Sequence, residues 1–267
     1  MTDTTANPGA EAASAVPPGL TDDAFLGGRL RILQPEKGFR AGIDSVFLAA
    51  AVPAEGKEEA FEAGIGTGVA ALCLLARVPE AKVTGLEVTV RYAMIAEQNA
   101  ARNGMTERMT VIRGDLKDAL RRDLATYPEH GSFAHVFANP PYLDPNRMVS
   151  SPSPLKTVAH AASPDDLDLW IKVLHAMVEA RGTMTMVHRA EMLGRILAGM
   201  EGKFGDIAVA PLYARTGMAA SRVIVQGVKG SKAPLRLLPG LVLHAEGSKF
   251  TPEADAVLRH GQAWKLR

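Results

Sequence analysis

The stretch that decides the fold runs from residue 59 to residue 68 and reads EAFEAGIGTG. Its first half has the short apolar character of a buried strand, and its second half places Gly64, Gly66 and Gly68 before an apolar helical pattern. Backbone amides at the start of a helix can face a ligand across such a turn, because no Cβ atoms stand in the way. The stretch therefore predicts a ligand-binding loop between a strand and a helix.

The spacing of these glycines bears on the kind of ligand. A dinucleotide-binding fingerprint, GxGxxG, would have its third glycine at the position of Val69. The GxGxG spacing, with Glu62 two residues before the first glycine, fits a nucleoside that carries an amino acid better than it fits a pyrophosphate. The pattern favours the nucleoside.

Strands and helices alternate from Ala60 onward, which is typical of an α/β fold with a parallel sheet covered on both faces. The sequence predicts strands at 59–63, 82–87, 109–113, 133–138, 182–187, 207–213 and 221–228. It predicts helices between them at 67–77, 89–103, 116–124, 164–180 and 189–200.

Acidic residues lie in or after the first three predicted strands. Glu87 ends the second, where a carboxylate at the carboxyl edge of a parallel sheet can accept from both hydroxyls of a ribose. Asp115 follows the third, where it can accept from the amino group of an adenine. Each acid could instead cap a helix or lie solvated in a loop. Together with Glu62 they indicate a binding site along one edge of the sheet.

The tetrapeptide NPPY, residues 139–142, follows the fourth predicted strand. An aromatic or amide nitrogen is a poor nucleophile because its lone pair is delocalised, and an enzyme helps by accepting hydrogen bonds from its N–H groups. The Asn139 side-chain oxygen and the Pro140 carbonyl can be these acceptors, since prolines restrict the backbone around them. Tyr142 offers a flat face on which a base could stack. The alternative is a proline-rich turn with an incidental aromatic residue.

The motifs EAGIGTG, GLE and RGD, in this order, resemble the cofactor motifs of class I methyltransferases, which use S-adenosyl-L-methionine. The resemblance covers residues 60–230 and implies a doubly wound, mostly parallel seven-stranded sheet whose last strand is antiparallel. It also implies that Gly64, Gly66 and Gly68 lie beside the methionine part of the cofactor. Glu87 would then bind the ribose, and Asp115 would bind the adenine.

NPPY resembles the motif of amino-methyltransferases that modify adenine in DNA or RNA, guanine in ribosomal RNA, or glutamine in release factors. The flanking stretches QPEKGFRAGIDSVFLAA and SPSPLKTVAHAASPDDL look like those of bacterial tRNA adenine N6-methyltransferases, which modify the purine beside the valine anticodon. This resemblance implies tRNA as the partner. It also implies that Arg40 and Asp44 belong to a segment closing over the cofactor or the catalytic loop; the alternative is an ion pair with a helix cap.

Three other functions stay open. One is glutamine methylation of a translation factor. A second is small-molecule O-methyl transfer, which needs a metal or a general base near the fourth strand, where His135 has no acidic partner in view. The third is a non-catalytic module that binds cofactor and RNA or protein. Arg147, Lys156 and His160 in the long 143–163 connection could contact phosphates or lie solvated.

The net charge of +1 provides no global attraction to nucleic acid, so RNA affinity would require a local basic face. The single cysteine, Cys73, and the absence of a ligand spacing among the histidines argue against a metal site. Neither a signal peptide nor a membrane span is visible, so we expect a cytoplasmic protein without a membrane partner.

The sequence also suggests a division of the chain. Residues 1–20 have the composition of a disordered tail, and residues 21–52 form an N-terminal cap segment in which Asp44 or Ser45 caps a short helix. The methyltransferase core spans 53–230. The C-terminal extension, 231–267, packs on the core and has a strand at LVLH and a helix capped by Thr251.

Overall fold

The computed structural model describes residues 16–38, 40–121, 123–142, 164–247 and 249–267. A two-stranded hairpin and a nine-stranded sheet are present in these ranges. The hairpin contains β1 (Leu20–Phe25) and β2 (Leu30–Pro35). The sheet contains β3 (Glu59–Ala63), β4 (Lys82–Glu87), β5 (Met109–Arg113), β6 (Phe133–Ala138), β7 (Val178–Arg189), β8 (Phe204–Tyr213), β9 (Ala220–Lys229), β10 (Arg236–Leu237) and β11 (Leu241–Val242).

The order of the central strands confirms the predicted fold class. Seven of them follow one another as β5, β4, β3, β6, β7, β9 and β8, and the short β10 and β11 pair with β8. The pairs from β5 to β7 are parallel, whereas β9 is antiparallel to both β7 and β8. The last of the seven strands in sequence is thus the antiparallel one.

Six helices accompany the sheet in the described residues: α1 (Ile43–Ala51), α2 (Val69–Arg77), α3 (Val90–Arg102), α4 (Pro164–Met177), α5 (Leu193–Met200) and α6 (Pro252–Leu258). Neighbouring residues of one strand point to opposite faces, so Val136 and Phe137 enter different cores. The core with Phe137 is covered by α1, α2, α3 and α6, and the core with Val136 by α4 and α5. Helices therefore cover both faces, as a doubly wound fold requires.

The predicted helix at 116–124 is wrong. The structure has a single 3-10 turn there, Asp118–Leu120. Asp115 Oδ1 accepts from the backbone N–H of Lys117 at 2.8 Å, and such a local side-chain bond competes with helical pairing. Tyr127 also packs directly on Gly114. The connection is thereby held as a turn at the end of β5.

The N-terminal segment differs from the prediction in two ways. The hairpin was missed, and its first strand begins at Leu20, inside the stretch expected to be a tail. Helix α1 begins at Ile43 with Gly42 at the N-cap and no side-chain cap bond, so the predicted cap at Asp44 or Ser45 is wrong. Both residues lie inside the first turn of the helix.

The C-terminal segment contains the predicted strand, β11, and the predicted helix, α6. Thr251 Oγ1 accepts from the backbone N–H of Ala254 at 3.2 Å and caps α6 as expected. The backbone N–H of Trp264 donates to the Ala50 carbonyl at 2.8 Å, and the Trp264 ring meets the Phe47 ring edge-on, with the ring centres 5.9 Å apart. This segment therefore packs against α1. No helix within the described ranges has the length and apolarity needed to cross a membrane.

Candidate active site

The glycine loop lies where the carboxyl end of β3 turns into α2. Gly64, Gly66 and Gly68 have φ angles of 65°, 58° and 86°, a left-handed region that glycine adopts readily. A Cβ on Gly64 would also collide with the indole ring of Trp170. The predicted loop is therefore present, and two independent constraints require glycine at its first position.

The strand register brings the other motifs to the same edge. Ala63, the last residue of β3, is paired with Ala138 of β6 on one side and with Leu86 of β4 on the other. The residues that follow, Gly64, Asn139 and Glu87, are therefore neighbours at the carboxyl edge. The N–H of Gly114, which follows β5, donates to the Glu87 carbonyl at 3.0 Å and extends the edge toward Asp115.

Glu87 is bonded to the loop itself. Its Oε2 accepts from the N–H of Gly66 at 2.9 Å, and its Oε1 accepts from the N–H of Thr89 at 2.8 Å. The side chain is buried, and burial raises the pKa of this carboxyl although hydrogen bonds from Thr89, Gly66 and Val88 oppose the shift. The carboxylate is thus held between the glycine loop and the residues that follow β4.

Glu62 lies deeper than Glu87. Its Oε2 accepts from the N–H of Ala71 at 3.0 Å, which fixes the first turn of α2 to β3. Only 3% of the residue is exposed, and burial, with the nearby charge of Glu87, raises the pKa of Glu62 well above its usual range. A direct contact between Glu62 and the cofactor stays a prediction.

Asp115 is exposed at the end of β5, with its Oδ1 bonded to the Lys117 N–H. It lies on the predicted edge, next to Gly114 and therefore next to Glu87. The geometry leaves its second oxygen for a donor from a ligand. Its contact with adenine stays a prediction.

The NPPY residues form a hydrogen-bonded cluster with α1. Asn139 Oδ1 accepts from the Tyr142 hydroxyl at 2.8 Å, and Asn139 Nδ2 donates to Ser45 Oγ at 3.3 Å. Pro140, which follows Asn139 in the chain, is buried. The Tyr142 hydroxyl also lies 3.2 Å from Asp44 Oδ2. Both ends of the Asn139 amide are thus held.

Arg222 and His188 complete this cluster from β9 and β7. Arg222 Nε donates to Asp44 Oδ2 at 2.9 Å, and the guanidinium lies 4.8 Å from the centre of the Tyr142 ring. The His188 ring meets the Tyr142 ring edge-on at 4.9 Å. Two side chains therefore contact the ring that was expected to present a free face for a base.

The charges of this cluster shape its acid–base properties. Burial, together with the nearby Asp44 carboxylate, raises the pKa of Tyr142, so its hydroxyl stays protonated. Burial and the charges of Arg189 and Arg222 lower the pKa of His188 to about 4, which makes this ring neutral at pH 7. His188 Nδ1 accepts from the Arg189 N–H at 2.9 Å, so the ring proton is on Nε2.

Sequence reasoning missed Ser45, His188 and Arg222 as members of the site. Arg222 stands opposite Arg189 in the antiparallel pair of β9 and β7, which puts the start of β9 at the carboxyl edge. The available signal was topological: an antiparallel last strand begins at the edge where its parallel neighbours end.

Arg40 and Asp44 have different partners. Its guanidinium bonds to Asp23, to Thr21 Oγ1 at 2.8 Å and to the Pro35 carbonyl at 2.7 Å. It thus closes the hairpin and makes an ion pair, as the alternative interpretation expected, although the partner is a strand residue and not a helix cap. Asp44 alone of the two reaches the catalytic loop.

Two expectations concern other parts of the chain. Arg147, Lys156 and His160 lie outside the described residues. Cys73 is buried, and burial raises the pKa of its thiol to about 12, as suits a core residue. In the described part of the chain, no group of three His, Cys, Asp or Glu side chains could hold a metal ion.

Comparison with known proteins agrees with this geometry. Residues 40–163 match the methyltransferase small domain. A relative from Bacteroides thetaiotaomicron, named tRNA1(Val) (adenine(37)-N6)-methyltransferase, is 26% identical over 158 residues, which cover 59% of this chain and 62% of the relative. A relative of the same name from Vibrio campbellii is 28% identical over 152 residues, 57% of this chain and 59% of the relative.

A solved structure from Agrobacterium tumefaciens, described as a predicted O-methyltransferase, aligns with a TM-score of 0.69 and 25% sequence identity. The alignment covers 83% of this chain and 98% of that chain. By sequence, in contrast, the chain spans only about three fifths of the length of the two curated relatives.

The strand order and the glycine loop are those of the class I methyltransferase fold, and residues 40–163 match the methyltransferase small domain. Within this class it resembles the tRNA adenine N6-methyltransferases, and its two curated relatives carry that name. The resemblance inferred from the motifs is thus confirmed.

Proposed function

We propose that this protein transfers a methyl group from S-adenosyl-L-methionine to an exocyclic amino nitrogen, and that the acceptor is adenine N6 in a tRNA, near the anticodon. The observation that carries the proposal is the Asn139 amide. Its oxygen lies at the carboxyl edge beside the glycine loop, and its nitrogen is held by Ser45. The names of the curated relatives support adenine in tRNA as the acceptor.

The edge fits the cofactor. The three positive-φ glycines leave three positions of the loop without a Cβ atom, and Gly64, Gly66 and Gly68 would lie beside the methionine part. Glu87 ends β4 at this edge, where its carboxylate would accept from the hydroxyls of a ribose. Asp115 would accept from the adenine amine. Glu62 would hold the loop in place through its bond to the N–H of Ala71 in α2. The bound cofactor supplies a methyl group on a positively charged sulfur.

The residues of the catalytic loop would act on the acceptor. Asn139 Oδ1 and the Pro140 carbonyl accept hydrogen bonds from the exocyclic amine, which turns the nitrogen lone pair out of conjugation and toward the methyl group. The acceptors stabilise the positive charge that develops on nitrogen, and one amine proton is then lost to solvent. Because the charge develops during the reaction, no strong base is needed beforehand.

The test is incubation of the full chain with S-adenosyl-L-methionine, labelled in the methyl group, and unmodified tRNA transcripts. After digestion to nucleosides, the label should run with N6-methyladenosine. The Asn139→Ala variant is the matched negative control, because it removes the acceptor oxygen and leaves the glycine loop unchanged. Label in protein, or no labelled nucleoside at all, would overturn the proposal.

The structure from Agrobacterium tumefaciens makes O-methyl transfer the second candidate, since that protein is described as a predicted O-methyltransferase. An oxygen acceptor without a metal needs a general base. The expectation that His135 lacks an acidic partner is wrong, since its Nε2 lies 3.0 Å from Glu58 Oε2, but this pair lies at the amino end of the strands. His188 is the histidine in contact with Tyr142, but its pKa of about 4 and its occupied Nδ1 make it a weak base. Nucleoside analysis separates the candidates, because ribose O-methylation and N6-methylation give different products.

A further inference from the structure

The Tyr142 hydroxyl has two possible hydrogen-bond acceptors and one proton. Asn139 Oδ1 lies 2.8 Å from it and Asp44 Oδ2 lies 3.2 Å from it. A hydroxyl donates one hydrogen bond at a time, so only one of these oxygens receives the proton in any one state. When the proton is on the Asp44 side, the Asn139 oxygen is released for another donor.

The opposite end of the Asn139 amide has a fixed partner. Asn139 Nδ2 donates to Ser45 Oγ at 3.3 Å, and Ser45 is buried in the first turn of α1. This bond determines which way the amide faces, because the nitrogen must point to the serine. The oxygen is therefore kept on the side of the hydroxyl of Tyr142.

Asp44 is itself held by a residue of β9. Arg222 Nε donates to Asp44 Oδ2 at 2.9 Å, and the guanidinium covers the Tyr142 ring at 4.8 Å. A charge-assisted bond of this kind holds the carboxylate in place. Asp44 then remains an acceptor for the hydroxyl without moving.

We propose that Asp44, Ser45 and Arg222 are positioning residues that aim the Asn139 amide at the acceptor amine. Ser45 orients the amide, Asp44 takes over the Tyr142 hydroxyl bond when the amine arrives, and Arg222 holds Asp44. This inference rests on the proposed function and deepens it. It also assigns Asp44 to the acceptor side of the site and not to the cofactor.

The variants Asp44→Asn, Ser45→Ala and Arg222→Gln test the three roles. Asp22→Asn is the control, because Asp22 pairs with Arg102 at 2.8 Å and Arg31 at 3.0 Å away from the site, and its side chain is 16% exposed, close to the 19% of Asp44. The three site variants should lower kcat roughly tenfold to a hundredfold, the range expected from misplaced catalytic groups, with little change in cofactor affinity or acceptor KM.

A purely structural role predicts the opposite division. If Asp44→Asn and Asp22→Asn lower stability equally and leave kcat unchanged, the inference is overturned. Weaker cofactor binding by Asp44→Asn, with unchanged kcat at saturation, would also overturn it, because Asp44 would then belong to the cofactor side. Arg222→Lys should recover part of the lost kcat, since a cation is restored without the planar bond.

A second measurement needs no methyl transfer. The chain has four tyrosines, so labelling with tyrosine carrying ¹³C at Cζ gives four NMR signals, and the signal missing from Tyr142→Phe is that of Tyr142. Among the described residues, Asp44, Arg222 and His188 are the charged or titratable groups shown in contact with this tyrosine. In wild type the signal should stay constant through pH about 9–11, where an ordinary tyrosine ionises.

Asp44→Asn should shift this signal and bring its ionisation to lower pH, because the anion that opposes a phenolate is removed. An unchanged signal and titration in folded Asp44→Asn protein would overturn the network. A wild-type protein that methylates no RNA but shows the Asp44-dependent signal would remove the proposed function and still support the network. The two failures are thus distinguishable.

Discussion

Arg222 and Asp44 are 178 positions apart in the sequence, and Arg222 Nε donates to Asp44 Oδ2 at 2.9 Å. This bond joins the start of β9 to the first turn of α1. Because β9 is antiparallel to β7, its first residues lie at the edge where β6 delivers Asn139. An ion pair between distant segments thus contacts the catalytic loop and restrains Tyr142.

Glu87→Gln should weaken binding of S-adenosyl-L-methionine by roughly tenfold or more, since the amide loses an acceptor oxygen and the charge that strengthens each bond. In wild type the backbone N–H groups of Gly66 and Thr89 donate to Glu87, so the new NH₂ group would place one donor against another. Isothermal titration calorimetry measures the dissociation constant.

Glu97→Gln is the control for that variant, because Glu97 is exposed and pairs only across the surface with Arg113 at 2.7 Å. Its cofactor affinity should equal that of wild type. Equal affinities for wild type and Glu87→Gln would remove Glu87 from the cofactor site.

Gly64→Ala should destabilise the protein by more than the strain of a positive φ alone, which is of order 1–3 kcal/mol. The added Cβ would also meet the Trp170 ring. Gly56→Ala separates the two terms, because Gly56 has a φ of 55° and open space where a Cβ would lie. Urea unfolding should show the larger loss for Gly64→Ala. Equal losses would mean that Trp170 moves aside freely.

Local sequence patterns were sufficient to predict most of the residues at the sheet edge that carries the site. Gly64, Glu87, Asp115 and Asn139 each follow or end a strand, and parallel strands deliver such residues to one edge whatever the details of packing. The strands 59–63, 82–87, 109–113 and 133–138 have the predicted bounds. The periodicity of apolar residues and the turn residues between them determine these elements locally.

The part that could not be predicted depends on distant contacts. Ser45 and Asp44 looked like helix caps, because their pairing with Asn139 and Tyr142 arises only after α1 packs beside β6. Arg222 had no motif at all. The helix expected at 116–124 failed for a local reason, since the Asp115 side chain takes the Lys117 N–H and favours a turn.

His188 should make the protein less stable in acid. Its pKa of about 4 in the folded state lies below the value of about 6.5 for an unfolded histidine, so the unfolded chain takes up the proton first. The free energy of unfolding should therefore fall as the pH drops from about 6.5 toward 4, by at most about 1.4 kcal/mol per pH unit from this group.

Replacing His188 with Gln should flatten that pH dependence. Urea unfolding at several pH values between 4 and 7 measures the slopes. Identical slopes for wild type and His188→Gln would show that His188 titrates normally and is not shielded by its burial and by Arg222.

Asn139→Ala tests the chemistry itself. The variant removes the oxygen that accepts from the acceptor amine, an interaction made chiefly in the transition state, so turnover should fall roughly a hundredfold or more. Cofactor affinity should change little, because Gly64 and Glu87 remain. Asn103→Ala is the control, since Asn103 binds the backbone of Arg31 on the hairpin, away from the catalytic loop. Single-turnover rates with tRNA and calorimetry with the cofactor give the two quantities. Normal turnover by Asn139→Ala would refute amino-methyl transfer by this loop, whereas a loss confined to cofactor binding would place Asn139 on the cofactor side.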